Sequence, residues 1–289
     1  MILIAGAPAP IDTSSLSVTE KVILEEKQRS PVTYQYASPE ELLFELRLRT
    51  ATVRAALDLG RSGAVFATLR KSKANPKYWI RTPMGGFQQR PGVASSDAIR
   101  DIFINGRMYG FECASAVVII IYKGVLDMLG DAIFSRHFNN LLLMTTNADR
   151  NLGLRTIKTS TEMYPGDVLY FSNPDYNRET PEWSGENVIL VGPNAYFGHG
   201  IGVKPGEGII ADLNRLRRRW ALRSAYLMDQ TTFPNFSYLY NLSISNPAAS
   251  FYHRSDAKPL AAAAGAEGAA GPVIRIRAQA SPDSAVPFS

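Results

Sequence analysis

Residues 109–121 of the chain read Tyr109-Gly110-Phe111-Glu112-Cys113-Ala114-Ser115-Ala116-Val117-Val118-Ile119-Ile120-Ile121. Cys113 is the only cysteine in the chain, and it precedes the long apolar run instead of lying inside it. A helix capped by Ser95, Ser96 and Asp97 is expected to end at Asn105-Gly106. A second helix is then expected to begin close to Cys113 and to run to Gly130, with the thiol in its first turn.

A thiol in the first turn of a helix faces free backbone N–H groups and the positive end of the helix dipole. Both favour the thiolate, which is the nucleophile in cysteine acyl chemistry. The alternative is that Cys113 fills space, because free cysteines are among the most buried residues. Position alone leaves the two interpretations equally open, although Glu112 is an unusual residue to bury without a function.

The chain has 289 residues, which is enough for one large domain or two small ones. A single cysteine excludes an internal disulfide and a cysteine-based zinc site, and it fits a reducing compartment. Residues 1–6 lack a basic region and a long enough apolar run for a signal peptide. The apolar segment 114–122 is far shorter than the ~20 residues of a membrane span. We therefore expect a soluble protein that is not exported by the usual route.

The formal net charge is +5, and the clearest concentration of positive charge is an arginine cluster. Its members are Arg215, Arg217, Arg218, Arg219 and Arg223. Such a cluster can bind nucleic acid, but leucines and Trp220 lie between the arginines at near-helical spacing. The solvated face of an amphipathic helix is favoured, with weak attraction for acidic proteins and no nucleic-acid or membrane partner.

The pattern along the chain predicts three parts: an N-terminal arm of residues 1–30, a folded domain of residues 31–245 and a tail of residues 246–289. The arm is expected to be loosely attached, with one short helix. The tail is rich in Ala, Gly and Pro and is expected to be disordered. In the folded domain, Ser38-Pro39-Glu40-Glu41 begins a long helix that ends near Gly60.

Helices prevail up to about residue 138, and strands prevail after it. Short strands are expected at residues 63–68, 78–82, 141–146, 168–171, 208–211 and 224–228, the last of these being the final strand. The segment 131–138 is expected to form a further short helix.

Two β-rich runs flank the turn Gly192-Pro193-Asn194 and predict a hairpin. In this hairpin Glu186 and His199 lie within about one residue of directly opposite. A nucleophile at a helix N-terminus, packed on an antiparallel sheet that carries a His or Glu, is the papain-type α+β arrangement. In that arrangement the base takes the thiol proton and an acyl-thioester forms, and backbone N–H groups near Cys113 stabilise the oxyanion.

Each site residue also has a purely structural interpretation. His199 lies between two glycines and is equally compatible with a hydrogen-bonded structural histidine, whereas Glu186 is compatible with a surface carboxylate. Trp183 either walls a cleft or caps the core, and His137 and His253 look incidental. The chain has no calcium-binding EF-hand loop, zinc spacing or phosphate loop, which favours a reaction without metal or nucleotide cofactors.

Three segments together resemble the small spore-coat transglutaminases of bacilli (protein-glutamine gamma-glutamyltransferases). They are residues 111–120, 183–190 and 196–202; residues 45–49 and 224–227 fit as well. The resemblance covers roughly residues 30 to 240. It implies a papain-like, peptidoglycan-peptidase-related core and an activity that needs no calcium.

The resemblance also implies roles for individual residues. Cys113 would attack a glutamine side-chain amide and release ammonia, and Glu186 would be the main group that accepts and returns protons. Glu112 would be a second carboxylate close by, and His199 would lie near the site but rank below the glutamates as a base.

The substrate path follows from the same resemblance. Phe66 and Trp183 would flank a hydrophobic tunnel, through which a lysine amine reaches the thioester and forms an isopeptide bond. A tunnel suits this reaction because it excludes water, which would give deamidation instead. Residues 147–150 lack the aromatic side chains expected at one tunnel mouth, and the tail has no counterpart in the family.

The expected partners are therefore proteins that bear glutamine and lysine, spore-coat proteins above all, and the expected location is the spore coat or the mother-cell cytoplasm. Two other functions stay open at this point. One is a cysteine peptidase or amidase acting on peptidoglycan peptides, and the other is a non-catalytic coat scaffold.

Overall fold

The structure is a computed structural model that describes residues 1–159 and 161–245. In this part of the chain the helices are α1 Val18–Arg29, α2 Pro39–Arg61, α3 Ser95–Ile104, α4 Cys113–His137, α5 Gly206–Arg215 and α6 Phe236–Ile244. The strands are β1 Ile2–Ile4, β2 Tyr34–Tyr36, β3 Val65–Phe66, β4 Trp79–Arg81, β5 Phe87–Gln89, β6 Gly110–Phe111, β7 Leu142–Leu143, β8 Arg155–Ile157, β9 Val168–Ser172, β10 Gly185–Gly192, β11 Ala195–Gly198, β12 Gly202–Lys204, β13 Tyr226–Leu227 and β14 Thr231–Phe233. The result is the expected mixture of helices and mainly antiparallel sheet.

Helix α2 begins where the sequence predicts it. The Ser38 side chain accepts the backbone N–H of Glu41, and Pro39 occupies the first turn. Its apolar stripe packs against α4 so closely that a Cβ added at Gly124 would lie 2.7 Å from the Thr52 hydroxyl oxygen. These two helices form the centre of the main hydrophobic core.

Helix α4 begins at Cys113, as predicted, and its first half is buried almost throughout. Gly130 has φ 74°, a left-handed conformation inside the helix, and it separates the main helix from a last stretch that ends at His137. The predicted helix end near Gly130 and the predicted short helix after it are thus both present as two parts of α4.

The main sheet contains seven strands among the described residues, in the order β12-β11-β10-β9-β14-β8, with β13 also paired to β9. Strands β10 and β11 form the predicted hairpin, in which Val188 lies opposite Gly198. In this register Glu186 and His199 are offset by one residue from lying directly opposite each other, as expected. One face of β9 and β10 contributes Val168 and Ile189 to the core with α4.

The segment after β12 differs from the prediction. Residues 208–211 lie in α5 and not in a strand, because Ile209 and Leu213 are spaced one helical turn apart and are both buried. The predicted arginine helix is also wrong: α5 ends at Arg215, and residues 216–223 form turns and loop. Strand β13 is present but is not the last, since β14 and α6 follow it.

The N-terminal segment packs firmly against the rest of the fold. Ile23 and Leu24 of α1 are buried against Leu42 and Leu46 of α2. Strand β1 pairs with β2 in parallel. The expectation of loose attachment is therefore wrong, and residues 1–30 complete a second hydrophobic cluster.

The predicted disordered tail of residues 246–289 and His253 lie outside the described residues. Within the described ranges, every helix is too short or too polar to cross a membrane.

Candidate active site

Cys113 is placed by the junction between β6 and α4. Strand β6 pairs with β3, so the chain enters the helix from a fixed direction. Glu112 is the N-cap residue, with extended backbone (φ −82°, ψ 168°), and its side chain makes no capping hydrogen bond. Cys113 is then the first helical residue and is 7% exposed. The predicted position of the thiol in the first turn is confirmed.

Strand β10 brings a carboxylate and an amide to the thiol. The side-chain amide of Asn187 donates to the Cys113 sulfur over 3.6 Å. Glu186 precedes it and is fully buried, and neither of its carboxyl oxygens has a hydrogen-bond partner in the described structure. The Cys113 thiol and the backbone N–H of His199 are the polar groups that favour its charged form. A buried carboxyl group without partners is uncommon and marks a site with a chemical task.

The electrostatics of the pair differ from the expectation for a helix N-terminus. Burial raises the pKa of the Cys113 thiol, and the negative charge of Glu186 raises it further, which together outweigh the backbone and side-chain N–H groups of Asn187. Burial likewise raises the pKa of Glu186 well above its ordinary value. Two acidic groups side by side in a buried site titrate as a pair, and after the first proton has left they share the second. Desolvation therefore outweighs the preference for the thiolate that was expected from the helix N-terminus.

Glu112, the residue before Cys113, is a second carboxylate near the thiol. It is half-buried, and one of its carboxyl oxygens, Oε1, is buried without a hydrogen-bond partner. Burial raises its pKa, and the backbone N–H of Thr145 acts in the opposite direction. Its negative charge adds a small upward contribution to the pKa of Cys113. The predicted second carboxylate is thus close to the nucleophile candidate.

The His199 ring is buried, and its Nε2 atom has no hydrogen-bond partner in the described structure. It stacks on Phe111 with ring centroids 4.6 Å apart. Burial lowers the pKa of His199 to about 4, against the carbonyl groups of Val65 and Phe111, so the ring is neutral at neutral pH. The backbone of His199, not its ring, faces Glu186.

Close contacts require the glycines on both sides of His199. A Cβ at Gly198 would lie 2.9 Å from a carboxyl oxygen of Glu186. Gly200 has φ +99°, and a Cβ there would lie 2.8 Å from Cβ of Phe66.

Phe66 and Trp183 come together although they lie far apart in the sequence. Their rings stack with centroids 5.4 Å apart and an interplanar angle of 23°. Both side chains are partly exposed, and Trp183 lies two residues before the strand that carries Glu186. The two aromatic residues, which the resemblance implies flank a tunnel, thus lie together close to the start of β10 and form what is here called the aromatic wall.

The sequence analysis did not identify Tyr170 and Asn187 as residues of the site. Tyr170 lies opposite Asn187 in the β9–β10 register. Burial raises the pKa of the Tyr170 hydroxyl and the nearby Cys113 raises it further, which places the hydroxyl in the same electrostatic environment. Gly185 leaves the space for it, since a Cβ there would lie 2.1 Å from the Tyr170 oxygen. Side chains alternate between the two faces of a strand, so Gly185 and Asn187 share one face of β10. This alternation is the signal that could have identified Asn187.

A pocket elsewhere on the surface is separate from the predicted site residues. A shallow pocket lined by Glu26, Pro165, Leu169, Leu190 and Tyr196 contains none of them. Across residues 1–159 and 161–245, no group of three or more His, Cys, Asp or Glu side chains is arranged to hold a metal ion.

Enzymes that transfer acyl groups through a cysteine need a thiol with a proton acceptor beside it. Here the buried thiol lies at the start of a helix, and the buried carboxyl group lies on an antiparallel sheet. The site therefore contains the groups that acyl transfer through a cysteine requires.

Comparison with known proteins gives the family. The family model for protein-glutamine gamma-glutamyltransferase matches residues 1–243. The protein-glutamine gamma-glutamyltransferase of Bacillus mycoides is 48% identical over 199 residues, which cover 69% of this chain and 72% of the relative. That of Bacillus cereus is 46% identical over the same shares of the two chains. The solved transglutaminase from Geobacillus stearothermophilus, without its C-terminal extension, superposes with a TM-score of 0.68 at 47% identity and covers 70% of this chain and 97% of that chain. This chain belongs to the protein-glutamine gamma-glutamyltransferase family, and it is a transglutaminase.

Proposed function

We propose that the chain crosslinks proteins by joining a glutamine side chain to a lysine amine through a thioester on Cys113, on a papain-like core. The observation that carries the mechanism is the burial of the Cys113 thiol beside the unpartnered carboxyl group of Glu186. Because both pKa values are raised, that of Glu186 to about 8, the pair loses its first proton only at mildly alkaline pH. It can then pass the remaining proton between sulfur and oxygen without an outside base.

In the first half-reaction, the Cys113 sulfur attacks the amide carbon of the glutamine as its proton passes to Glu186. The amide N–H of Asn187 favours the thiolate in this step. The carboxylic acid of Glu186 then protonates the departing nitrogen, the C–N bond breaks, and ammonia leaves with the thioester formed. Free backbone N–H groups at the start of α4 are available to the oxyanion.

In the second half-reaction, a lysine amine attacks the thioester carbonyl. Glu186, now a carboxylate, accepts a proton from the amine nitrogen, the C–S bond breaks, and the proton returns to sulfur. Glu112 lies near enough to contribute to proton transfer and to attract an ammonium group. His199 serves as a positioning residue, since its backbone faces Glu186 and its ring is neutral.

The aromatic wall of Phe66 and Trp183 supports the choice of amine over water. Stacked rings beside the site reduce the access of water, and water at the thioester would convert glutamine to glutamate. We propose that these rings flank a tunnel through which the substrate side chain enters.

The proposal includes the biological setting that the resemblance to the bacillus enzymes suggests. We propose that the reaction needs no calcium, that the substrates are spore-coat proteins, and that the enzyme acts in the mother-cell cytoplasm and at the spore coat. The Bacillus origin of the relatives supports this setting. A fluorescent fusion followed through sporulation of a spore-forming host tests it, and uniform fluorescence away from the forespore would contradict it.

The activity is tested with a glutamine-rich protein and a fluorescent primary amine, in the presence of a calcium chelator. Incorporation of the amine, release of ammonia and ladders of crosslinked protein are expected, with no activity for Cys113→Ala. Conversion of glutamine to glutamate without incorporation would identify an amidase, and fragments in place of ladders would identify a peptidase. Loss of activity on chelation would contradict calcium independence.

A further inference from the structure

The loop of residues 215–223, here called the arginine loop, presents large apolar side chains to solvent. Trp220 is 78% exposed and Leu222 is 91% exposed, and Leu222 has the highest value among the large apolar residues that the structure describes. Exposed tryptophan beside arginine is the composition that protein–protein contacts favour at their centres.

The loop is held in one conformation by a buried carboxylate. Asp175 is 3% exposed on its side chain and accepts the backbone N–H groups of Leu222 at 3.0 Å and Arg223 at 2.9 Å. It also accepts the Arg223 guanidinium at 2.8 Å. These bonds, led by the backbone N–H of Arg223, hold the pKa of Asp175 below its ordinary value. The loop is therefore fixed although its tip is in solvent.

Trp220 shows backbone strain that burial does not explain. Its φ of 63° lies in the left-handed region, which a bulky side chain seldom adopts. Strained residues persist where the surroundings determine them, and they cluster at sites of recognition. The backbone N–H groups of Leu222 and Arg223, which donate to Asp175, supply that constraint, and the indole ring extends into solvent.

The charge of the loop is positive on balance. The loop has five arginines, and two carboxylates form ion pairs with them. Asp212 pairs with Arg215, and Asp175 pairs with Arg218 and Arg223. Among the described residues, no carboxylate lies within ion-pair distance of Arg217 or Arg219. The guanidinium of Arg219 lies 4.9 Å from the Trp220 ring centroid. The Arg217 guanidinium donates to the carbonyl groups of Asn214 and Arg223. The tip thus combines one aromatic ring, one leucine and the exposed cation of Arg219.

The loop is connected to the aromatic wall of the site through the segment 173–183. Tyr176 pairs with Arg217 in a β-bridge. The side-chain amide of the buried Asn173 donates to the carbonyl of Trp183 at 2.9 Å and to that of Leu213 at 3.1 Å. The base of the arginine loop and Trp183 are therefore braced by the same residue.

We propose that the arginine loop docks an acidic segment with leucine or aromatic residues on a protein substrate, and so selects which proteins are crosslinked. The proposal rests on the proposed function, since it names the substrate class for that reaction. Charge complementarity argues for an acidic partner, and Trp220 and Leu222 supply an apolar anchor that an ion pair alone lacks. A nucleic acid fits less well, because three of the five arginines already lie in ion pairs with Asp175 and Asp212, and the exposed Trp220 and Leu222 suit an apolar protein side chain better than a phosphate backbone.

Binding is measured on the Cys113→Ala chain, so that no turnover occurs. The probe is a fluorescein-labelled peptide of Asp, Glu, Phe and Leu residues that contains neither Gln nor Lys. It is expected to bind in a salt-dependent way, and Trp220→Ser is expected to weaken binding at least about fivefold. The matched control is Ile104→Ser, which removes another exposed apolar side chain, 74% exposed at the end of α3, and leaves binding unchanged. Equal affinities for the parent and Trp220→Ser, or tighter binding of a single-stranded oligonucleotide of the same charge, would overturn the proposal.

Competition connects the loop to substrate choice. Excess acidic peptide is expected to raise KM for an acidic glutamine-bearing protein at least about threefold, and to leave KM for a short neutral glutamine peptide unchanged. Equal effects on both substrates, or on neither, would contradict docking. Absence of turnover on every substrate would reject the proposed function, whereas the binding measurement would still decide whether the loop recognises acidic segments.

Discussion

The side-chain amide of Asn187 donates to the sulfur of Cys113 over 3.6 Å, and this contact joins the central strand of the main sheet to the first residue of its central helix. Because the amide favours the thiolate, Asn187→Ala is expected to raise the pKa of Cys113 further and to lower kcat/KM for amine incorporation roughly tenfold. The alkaline midpoint of iodoacetamide labelling reports the pKa. A midpoint that does not move would show that the contact has no electrostatic role.

Replacement of Glu186 tests the proton-transfer role directly. Glu186→Gln keeps the size of the buried side chain and removes its ability to carry a proton, so amine incorporation should fall about 100-fold or more with the fold intact. Glu112→Gln is the matched comparison, and a smaller loss is expected there. Unchanged incorporation in Glu186→Gln, with a normal circular dichroism spectrum, would reject the assignment.

The same variant should change the thiol in the opposite sense. The charge of Glu186 raises the pKa of Cys113, so its removal should shift the labelling midpoint to lower pH while activity is lost. The measurement is the iodoacetamide rate of both proteins across neutral and alkaline pH. A midpoint that moves upward would mean that the protonated carboxyl stabilises the thiolate more than the carboxylate opposes it.

The raised pKa of Glu186 also has a consequence for stability. Its stabilising effect is complete below the ordinary pKa of a glutamic acid and is lost as pH rises through the raised value of the folded protein, because the folded state then buries a charge. Glu186→Gln removes this titration. Its free energy of unfolding relative to the parent should therefore increase between about pH 4 and alkaline pH. Urea unfolding measures this, with the exposed Glu25→Gln as control; parallel pH profiles for Glu186→Gln and the parent would contradict a buried, raised carboxyl group.

The sequence predicted the elements whose signals are local. Helix α2 has a serine cap and a proline at its start, and the β10–β11 hairpin has its Gly-Pro-Asn turn, so both were found. That hairpin and the start of α4 also sufficed to bring Glu186 toward Cys113. The arginine loop was misassigned because its conformation depends on Asp175, 48 positions before Arg223. The pKa of Cys113 was misjudged because it depends on burial, which is a property of the assembled core.

Gly185 gives a test of how Tyr170 reaches the site. A Cβ at Gly185 would lie 2.1 Å from the Tyr170 oxygen and 2.5 Å from the Phe171 carbonyl oxygen, and neither the strand nor the ring can move without loss of packing. Gly185→Ala is expected to lower the free energy of unfolding by about 2 kcal/mol or more and to change the labelling rate of Cys113. Gly192→Ala in the same strand is the control, since its nearest neighbour would be 3.9 Å away. Equal stabilities of the two variants would show that Tyr170 does not depend on this glycine.

The buried ion network tests whether the N-terminal helix belongs to the fold. The Lys27 ammonium lies 2.9 Å from Glu45, which also accepts from Arg49 at 2.8 Å, and all three side chains are at most 7% exposed. Lys27→Met keeps an apolar stem but leaves Glu45 with a single cation, so a loss of about 3 kcal/mol in the free energy of unfolding is expected. Arg29→Met removes a similar charge from an exposed pair with Glu25 and should change stability by less than about 0.5 kcal/mol. Urea unfolding separates the two outcomes. If both variants changed the free energy of unfolding by less than about 0.5 kcal/mol, the contact between α1 and α2 would contribute little to the stability of the fold. The N-terminal residues would then be loosely attached.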